Sequence, residues 1–347
     1  MIDNDNIIFL LYFEIGLEIL LLDRIRQSLK GNKYMDRRLY LECYSGISGD
    51  MMVASLLDLG ADEKVLMEVL NSLPLKDFHV KISRVLKSGI DACDFDVVLE
   101  DQDNHDHDME YLYGHLHGEH VSSHSHSHDH HHDGECSHDY DHHNDGEHSH
   151  DHEHHHDGEH SHEHDHHHDG EHSHHHEHRG MKEITDIINR GAMTDGAREL
   201  AFRIFDILAH AESKAHNVPV EEVHFHEVGA VDSIVDIVSI AVCLDNLGIK
   251  ECVVTHLTEG KGTVRCQHGI LPVPVPAVLN IVSDNHIPIE ITDIMGELVT
   301  PTGAATVAAI CTSHELPKTF TVEKIGLGAG KRQYECAGIL RAMLIDC

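Results

Sequence analysis

One segment limits what this chain can fold into more than any other. Between His105 and His178 lie 31 of its 40 histidines, 20 Asp or Glu, and no Lys or Arg. Four Asp-Gly-Glu cores recur at a twelve-residue step, starting at Asp133, Asp145, Asp157 and Asp169. A repeat this short and polar has no apolar face to stack, so it is not a solenoid. It reads as low-complexity expansion. Ordering a residue costs about 1–2 kcal/mol of backbone entropy, and nothing here is available to offset it by burial. Residues 101–180 are therefore expected to be a disordered insertion. The globular part must be assembled from what flanks it, residues 35–100 and 181–347.

The chemistry of the insertion is that of a late-transition-metal ligand. Imidazole suits Zn, Ni and Cu, and carboxylates add oxygen donors. The runs His124, His126 and His128; His154, His155 and His156; His166, His167 and His168; and His174, His175 and His176 each place several imidazoles within reach of one ion. Its single thiol, Cys136, argues against a dedicated Cu(I) site. A solvated polyanionic linker is the plainer alternative.

The formal charge of −36 divides into −20 from the tract and −16 from the remaining 273 residues. No basic patch or Arg-rich helix occurs, which excludes a nucleic-acid partner. The nine cysteines include no Cys-x-x-Cys pair and do not describe a disulfide framework, so reduced thiols and a cytoplasmic setting are expected. Ile7 to Leu22 is apolar but short for a span and interrupted by Glu14 and Glu18, and its flank is acidic, so no membrane association is expected. Residues 1–34 read as an upstream extension before a start at Met35.

Periodicity predicts a mixed α/β or α+β fold, with a mixed sheet packed against helices. A strand over 38–44 leads through a glycine turn into a helix from Met51 to Leu59, with a second helix over 62–73. Strands 78–86 and 91–99 pair across Ser88-Gly89. Helices follow over 181–189, 194–216 and 230–247, then strands and helices near 277–282 and 301 onward, and closing strands at 320–325 and 338–345.

Three segments carry candidate chemistry. The turn Ser45-Gly46-Ile47-Ser48-Gly49-Asp50 joins a strand to a helix and exposes backbone N–H groups at a positive helix end, suited to an anion. Capping by Ser48 or Asp50 is the simpler reading of it. In the second, extended backbone puts His224 and His226 on one side and Glu227 on the other, while Asp232 and Asp236 share a helix face. Two imidazoles with these carboxylates can converge on a divalent cation, with His224, His226, Glu227 and Asp232 as catalytic candidates and His224, His226, Asp232 and Asp236 as ligands. In the third, Thr300, Thr302 and Gly303 sit at a helix start opened by Pro301, where plain capping by Thr300 competes with anion binding. Lys261 and His268, in a glycine-rich loop, are further partners for an acidic substrate.

These segments, taken in order, resemble the LarC family of nickel insertion proteins. The carriers are residues 44–51, 218–237, 268–274, 296–305 and 324–330, from Tyr44-Ser45-Gly46-Ile47-Ser48-Gly49-Asp50-Met51 to Lys324-Ile325-Gly326-Leu327-Gly328-Ala329-Gly330. The resemblance implies insertion of Ni²⁺ into pyridinium-3,5-bisthiocarboxylic acid mononucleotide, a lyase-class cyclometallase step. It implies CTP with Mg²⁺ or Mn²⁺ as co-substrate, handled by a C-terminal domain expected as a separate half. It implies a lactate racemase-type apoenzyme as recipient of the nickel-pincer cofactor. The competing reading is an intracellular nickel or zinc store or metallochaperone without catalysis, and a third is a metal-dependent hydrolase.

Deleting residues 105–178 is expected to remove most bound nickel and leave far-UV circular dichroism unchanged, because the tract offers nothing to a core. Calorimetric Ni²⁺ titration of the full chain is expected to lose most of its sites below about pH 6, as imidazoles protonate.

Overall fold

The computed structural model describes residues 38–99, 109, 112, 179–225 and 230–347. The expectation that residues 1–34 are an extension, and most of the expected disordered insertion over 101–180, lie outside them. At the edges of that insertion the expectation needs correction, because Met109 and Leu112 are helical, Leu112 is buried in the main core, and Arg179–Gly180 pair as a short strand with His224–Phe225. Among the described residues are seven α-helices and eleven strands, in the order β1 (Arg38–Glu42), α1 (Gly49–Leu59), α2 (Glu63–Ser72), β2 (Phe78–Lys87), β3 (Ile90–Leu99), β4 (Arg179–Gly180), α3 (Met181–Arg190), α4 (Asp195–His216), β5 (His224–Phe225), α5 (Val231–Leu247), β6 (Glu251–Val253), β7 (Leu257–Cys266), β8 (Gly269–Val273), α6 (Pro276–Asp284), β9 (Ile289–Met295), α7 (Pro301–Ile310), β10 (Thr321–Ala329) and β11 (Ile339–Asp346). The expected mixed α/β class is what the chain adopts.

The main sheet has the order β2-β3-β10-β11-β1-β6. Its β3–β10 and β1–β6 pairs are parallel and the others antiparallel. The two pieces of sequence flanking the insertion thus alternate within one sheet. A smaller sheet, β8-β7-β9, pairs β7 antiparallel to β8 and parallel to β9. Leu39 and Leu41 of β1 and Phe95 of β3 enter a core shared with Met52 and Leu56 of α1, Phe205 of α4 and Ile234 to Leu244 of α5. The opposite face carries a smaller cluster of Tyr40, Val253, Met343 and Ile345, covered by Leu316 and Phe320.

Local signals set most boundaries. α1 stops at Gly60 and α5 at Gly248, both in the left-handed region. Asp62 caps α2 through the N–H groups of Lys64 and Val65. Ser88 and Gly89 both have positive φ, the geometry of a two-residue hairpin turn. Two expectations need correction. The stretch 260–265, read as a flexible loop, is the middle of β7, because β8 and β9 pair with it on both sides. The strand expected to end near Ile325 runs on to Ala329, since Gly326 and Gly328 let β10 lie directly on α1.

That close approach is specific to glycine. A Cβ on Gly326 would overlap the carbonyl of Ser55 and the N–H of Leu59. Gly326→Val is expected to cost about 2–3 kcal/mol by forcing helix and sheet apart. Urea unfolding followed by circular dichroism measures it.

Candidate functional site

Two turns far apart in sequence are stitched together by backbone. Ile47 N–H donates to the Leu298 carbonyl at 3.0 Å, and Thr300 N–H donates to the Ile47 carbonyl at 3.0 Å. Gly46 sits at φ +81° with the Leu298 carbonyl where a Cβ would be, and Gly303 is equally tight against the Ile47 carbonyl. The 45–50 turn and the 296–303 segment therefore form one unit at the starts of α1 and α7. The sequence proposed each as an anion site, and the tertiary structure makes them neighbours.

The two capping alternatives resolve differently. Thr300 Oγ1 accepts the Gly303 N–H at 3.2 Å, so it caps α7 as the simpler reading held. Thr302 is buried. Ser48 occupies the N-cap position of α1 but makes no capping bond. Its hydroxyl donates instead to Asp50 Oδ1. The first turn of α1 is thus not side-chain capped, and its positive end faces the turn.

The helix face carrying Asp232 and Asp236 meets this unit. A Cβ on Gly49 would overlap Asp236 Oδ2. Burial, reinforced by the neighbouring Asp50 and Asp232 charges, pushes the Asp236 carboxyl well above the usual range. Asp236 Oδ1 and Asp50 Oδ2 are shut off from solvent with no hydrogen-bond partner among the described residues. Lys331 supplies the opposing charge, 2.6 Å from Asp94 and 3.2 Å from Asp96 of β3. Burial lowers its pKa, but the bond to Asp94 and the charges of Asp94, Asp96 and Asp50 outweigh that and raise it. Lys87 of β2 donates to the Arg332 carbonyl at 3.3 Å. Arg332 in turn pairs with buried Glu297 at 2.6 Å, and Tyr334 donates to the Glu297 carbonyl at 2.8 Å.

Asp94, Asp96, Lys331, Arg332 and Glu297 were not singled out by the sequence. The only available signal was the positive pair Lys331-Arg332 following Gly328-Ala329-Gly330. The other expected residues are placed as follows. His224 lies exposed on β5, while His226 and Glu227 lie outside the described residues. Lys261 pairs with Asp293 at 2.7 Å, and its carbonyl accepts the Gly296 N–H. His268, in the β7–β8 turn, stacks 4.9 Å from His216 at the end of α4. The histidines of the tract lie outside the described residues. Among the described residues, no three His, Cys, Asp or Glu are grouped to hold a metal ion, and no helix is long and apolar enough to cross a membrane.

Residues 39–346 match the model of a family described as nickel insertion protein. The chain belongs to the nickel insertion protein family. It is 47% identical over 312 residues to the pyridinium-3,5-bisthiocarboxylic acid mononucleotide nickel insertion protein of Alkaliphilus metalliredigens, covering 90% of this chain and 61% of that one. The proteins of the same name from Clostridium acetobutylicum and Acetivibrio thermocellus are 38% and 33% identical, over 89% of this chain and 64% and 60% of theirs. The chain thus spans about three-fifths of the length of these relatives. No solved structure matches it. The family suggested by the motifs is the one found.

A carboxyl whose folded pKa is raised adds stability below its unfolded pKa and loses that contribution as pH rises through the folded value. Asp236 therefore burdens the fold at neutral pH. Asp236→Asn, whose amide can donate to the flanking carboxylates, is expected to raise Tm at pH 8 and leave it nearly unchanged at pH 4, as read by differential scanning calorimetry.

Proposed function

We propose that this chain takes part in inserting Ni²⁺ into pyridinium-3,5-bisthiocarboxylic acid mononucleotide, the substrate named for its relatives. One observation carries the reading. The packing of Gly49 on Asp236 brings the 45–50 turn, and the 296–303 segment bonded to it, against the carboxylate face of α5. An anion-binding helix start beside metal-seeking and proton-seeking groups is what such a substrate requires.

In this reading the uncapped start of α1, with Ser45, Ser48 and Gly49, receives the phosphate or an acidic group through backbone N–H donors, while Gly46, whose own N–H donates to the Cys43 carbonyl, shapes the turn beside it. Thr302 and Gly303 shape the neighbouring wall, with Lys261 and His268 as outlying contacts for the acidic substrate. Asp50 sits at the junction of the turn with the carboxylates. Nickel enters as substrate, approached by His224, His226, Asp232 and Asp236. Forming a metal–carbon bond releases a ring proton, and His224, Glu227 and Asp232 are the groups proposed to take it. The His tract, including His124, His126, His128, His154, His155, His156, His166, His167, His168, His174, His175 and His176, is the proposed reservoir from which nickel is drawn. CTP, with Mg²⁺ or Mn²⁺, is the proposed co-substrate, handled by the part of the family length that this sequence does not span. A lactate racemase-type apoenzyme is the proposed recipient, and the step is a lyase-class cyclometallation in the cytoplasm.

The density of the tract also supports plain nickel or zinc storage, and stoichiometry separates the two. A store releases many ions with no organic requirement, whereas insertion consumes one nickel per mononucleotide. His224→Ala, His226→Ala and Asp232→Asn are each expected to lower insertion by about 100-fold or more while leaving tract-bound nickel unchanged. The assay is mass spectrometry of the mononucleotide incubated with Ni²⁺ and CTP, using this chain with a separately supplied C-terminal domain. Near-normal insertion in all three variants returns these residues to structural roles.

A further inference from the structure

Glu259 of β7 is fully buried, yet nothing in the reading above uses it. Its Oε1 accepts three backbone N–H groups: Gly260 at 2.8 Å, Leu298 at 2.6 Å and Val299 at 3.1 Å. Two of these belong to the segment that Ile47 grips from the other side, through the Leu298 carbonyl and the Thr300 N–H. One carboxylate oxygen thus orients the peptide groups that join the 45–50 turn to the 296–303 segment. Its other oxygen, Oε2, is also buried and meets no hydrogen-bond partner among the described residues. A half-satisfied buried carboxyl is costly, and a fold that needed only three acceptor bonds would be better served by an amide or a carbonyl.

We propose that Glu259 is a positioning residue for the mononucleotide site, its ionised carboxylate holding the Leu298–Val299 peptide groups so that the two turns keep their ligand-ready spacing. This deepens the reading under Proposed function and rests on it for the identity of the ligand. A charged acceptor holds N–H donors about twice as strongly as a neutral one, so the grip depends on ionisation. Burial pushes the carboxyl up to about 7, against the three N–H donors that lower it, and Glu297 adds to the rise. The charged groups around it are few. Glu297 is neutralised by Arg332. Lys261 on the same strand is paired with Asp293 of β9, and Glu290 of β9 faces His256 at 3.2 Å.

The sign follows directly. The ionised fraction of a group titrating near 7 falls from about nine-tenths at pH 8 to about one-tenth at pH 6, so ligand affinity gated by it falls up to about ninefold. Stability moves the other way, because a raised carboxyl pKa favours the protonated fold. Tighter ligand binding as the fold weakens, both on raising the pH, is not what a purely structural residue produces.

The test has a ligand-free arm and a binding arm. Leu298-Val299 is the only Leu-Val pair in the sequence. Carbonyl-13C leucine with 15N valine therefore isolates the Val299 amide in the full chain. That amide is expected to titrate with a midpoint near 7 in the wild type and to be flat in Glu259→Gln, which circular dichroism should show to be folded. In the second arm, nicotinic acid mononucleotide, a pyridinium mononucleotide with a carboxylate, is the calorimetric probe in metal-free buffer. Wild-type affinity is expected to fall about ninefold from pH 8 to pH 6, and that of Glu259→Gln by no more than about threefold, the residue of phosphate titration. A Val299 amide that does not titrate overturns the proposal. So do identical pH profiles of probe binding in the two proteins. A wild type that binds no probe, yet shows the Val299 titration and loses hydrogen-exchange protection over 46–49 and 296–303 in Glu259→Gln, sinks the mononucleotide reading and leaves the positioning role standing.

Discussion

The arrangement depends on two backbone hydrogen bonds, Ile47 N–H to Leu298 and Thr300 N–H to Ile47. They form an isolated parallel bridge outside either large sheet. Each bond contributes only about 1 kcal/mol net, so their importance is geometric. They put the start of α1 beside the start of α7, although some 250 residues separate the two turns. Glycine makes the approach possible at Gly46 and Gly303, where carbonyl oxygens occupy the space of a side chain. Glu259 then fastens the same segment from beneath.

Above that frame the electrostatics are deliberately uncomfortable. The charges of Asp50, Asp232 and Asp96 all bear on Asp236 and that of Lys331 opposes them, while Lys331 and Lys87 both feel Asp94 and Asp50. Desolvation and like charge both disfavour ionised Asp236. A core assembled for stability alone would replace such a group with a hydrophobe of similar volume. A perturbed carboxyl such as Asp236 beside a glycine-rich helix start is the pattern expected where charge is to be matched to a ligand.

The insertion shapes the fold in a quieter way. The sheet draws β1, β2 and β3 from before the tract and β6, β10 and β11 from after it. Phe95, from the earlier piece, and Phe205 and Ile234, from the later, share one core. Closing a longer loop costs only about 0.6 kcal/mol per doubling of length, so a long polar excursion between β3 and β4 is tolerable. This explains how a long histidine-rich, acidic segment and an ordinary α/β core coexist in one chain.

Much of the fold was legible in the sequence because its signals are local. Gly60, Gly248, Asp62 and the Ser88-Gly89 pair end or begin elements by their own backbone chemistry, whatever surrounds them. The family motifs and the histidine density of the tract are likewise properties of composition and spacing. The misreadings came where pairing overrides propensity, as in β7, whose glycines suggested a loop until β8 and β9 bonded to it. The candidate site was legible only in pieces. Nothing local says that Gly49 packs on Asp236, that Lys331 reaches Asp94, or that Glu259 holds Leu298. By itself the sequence determined which groups are present and the periodicities that make helices and strands. Only the tertiary structure decided which of those groups meet, because burial and charge neighbours, which set a carboxylate's protonation and a turn's geometry, are contacts made across hundreds of residues.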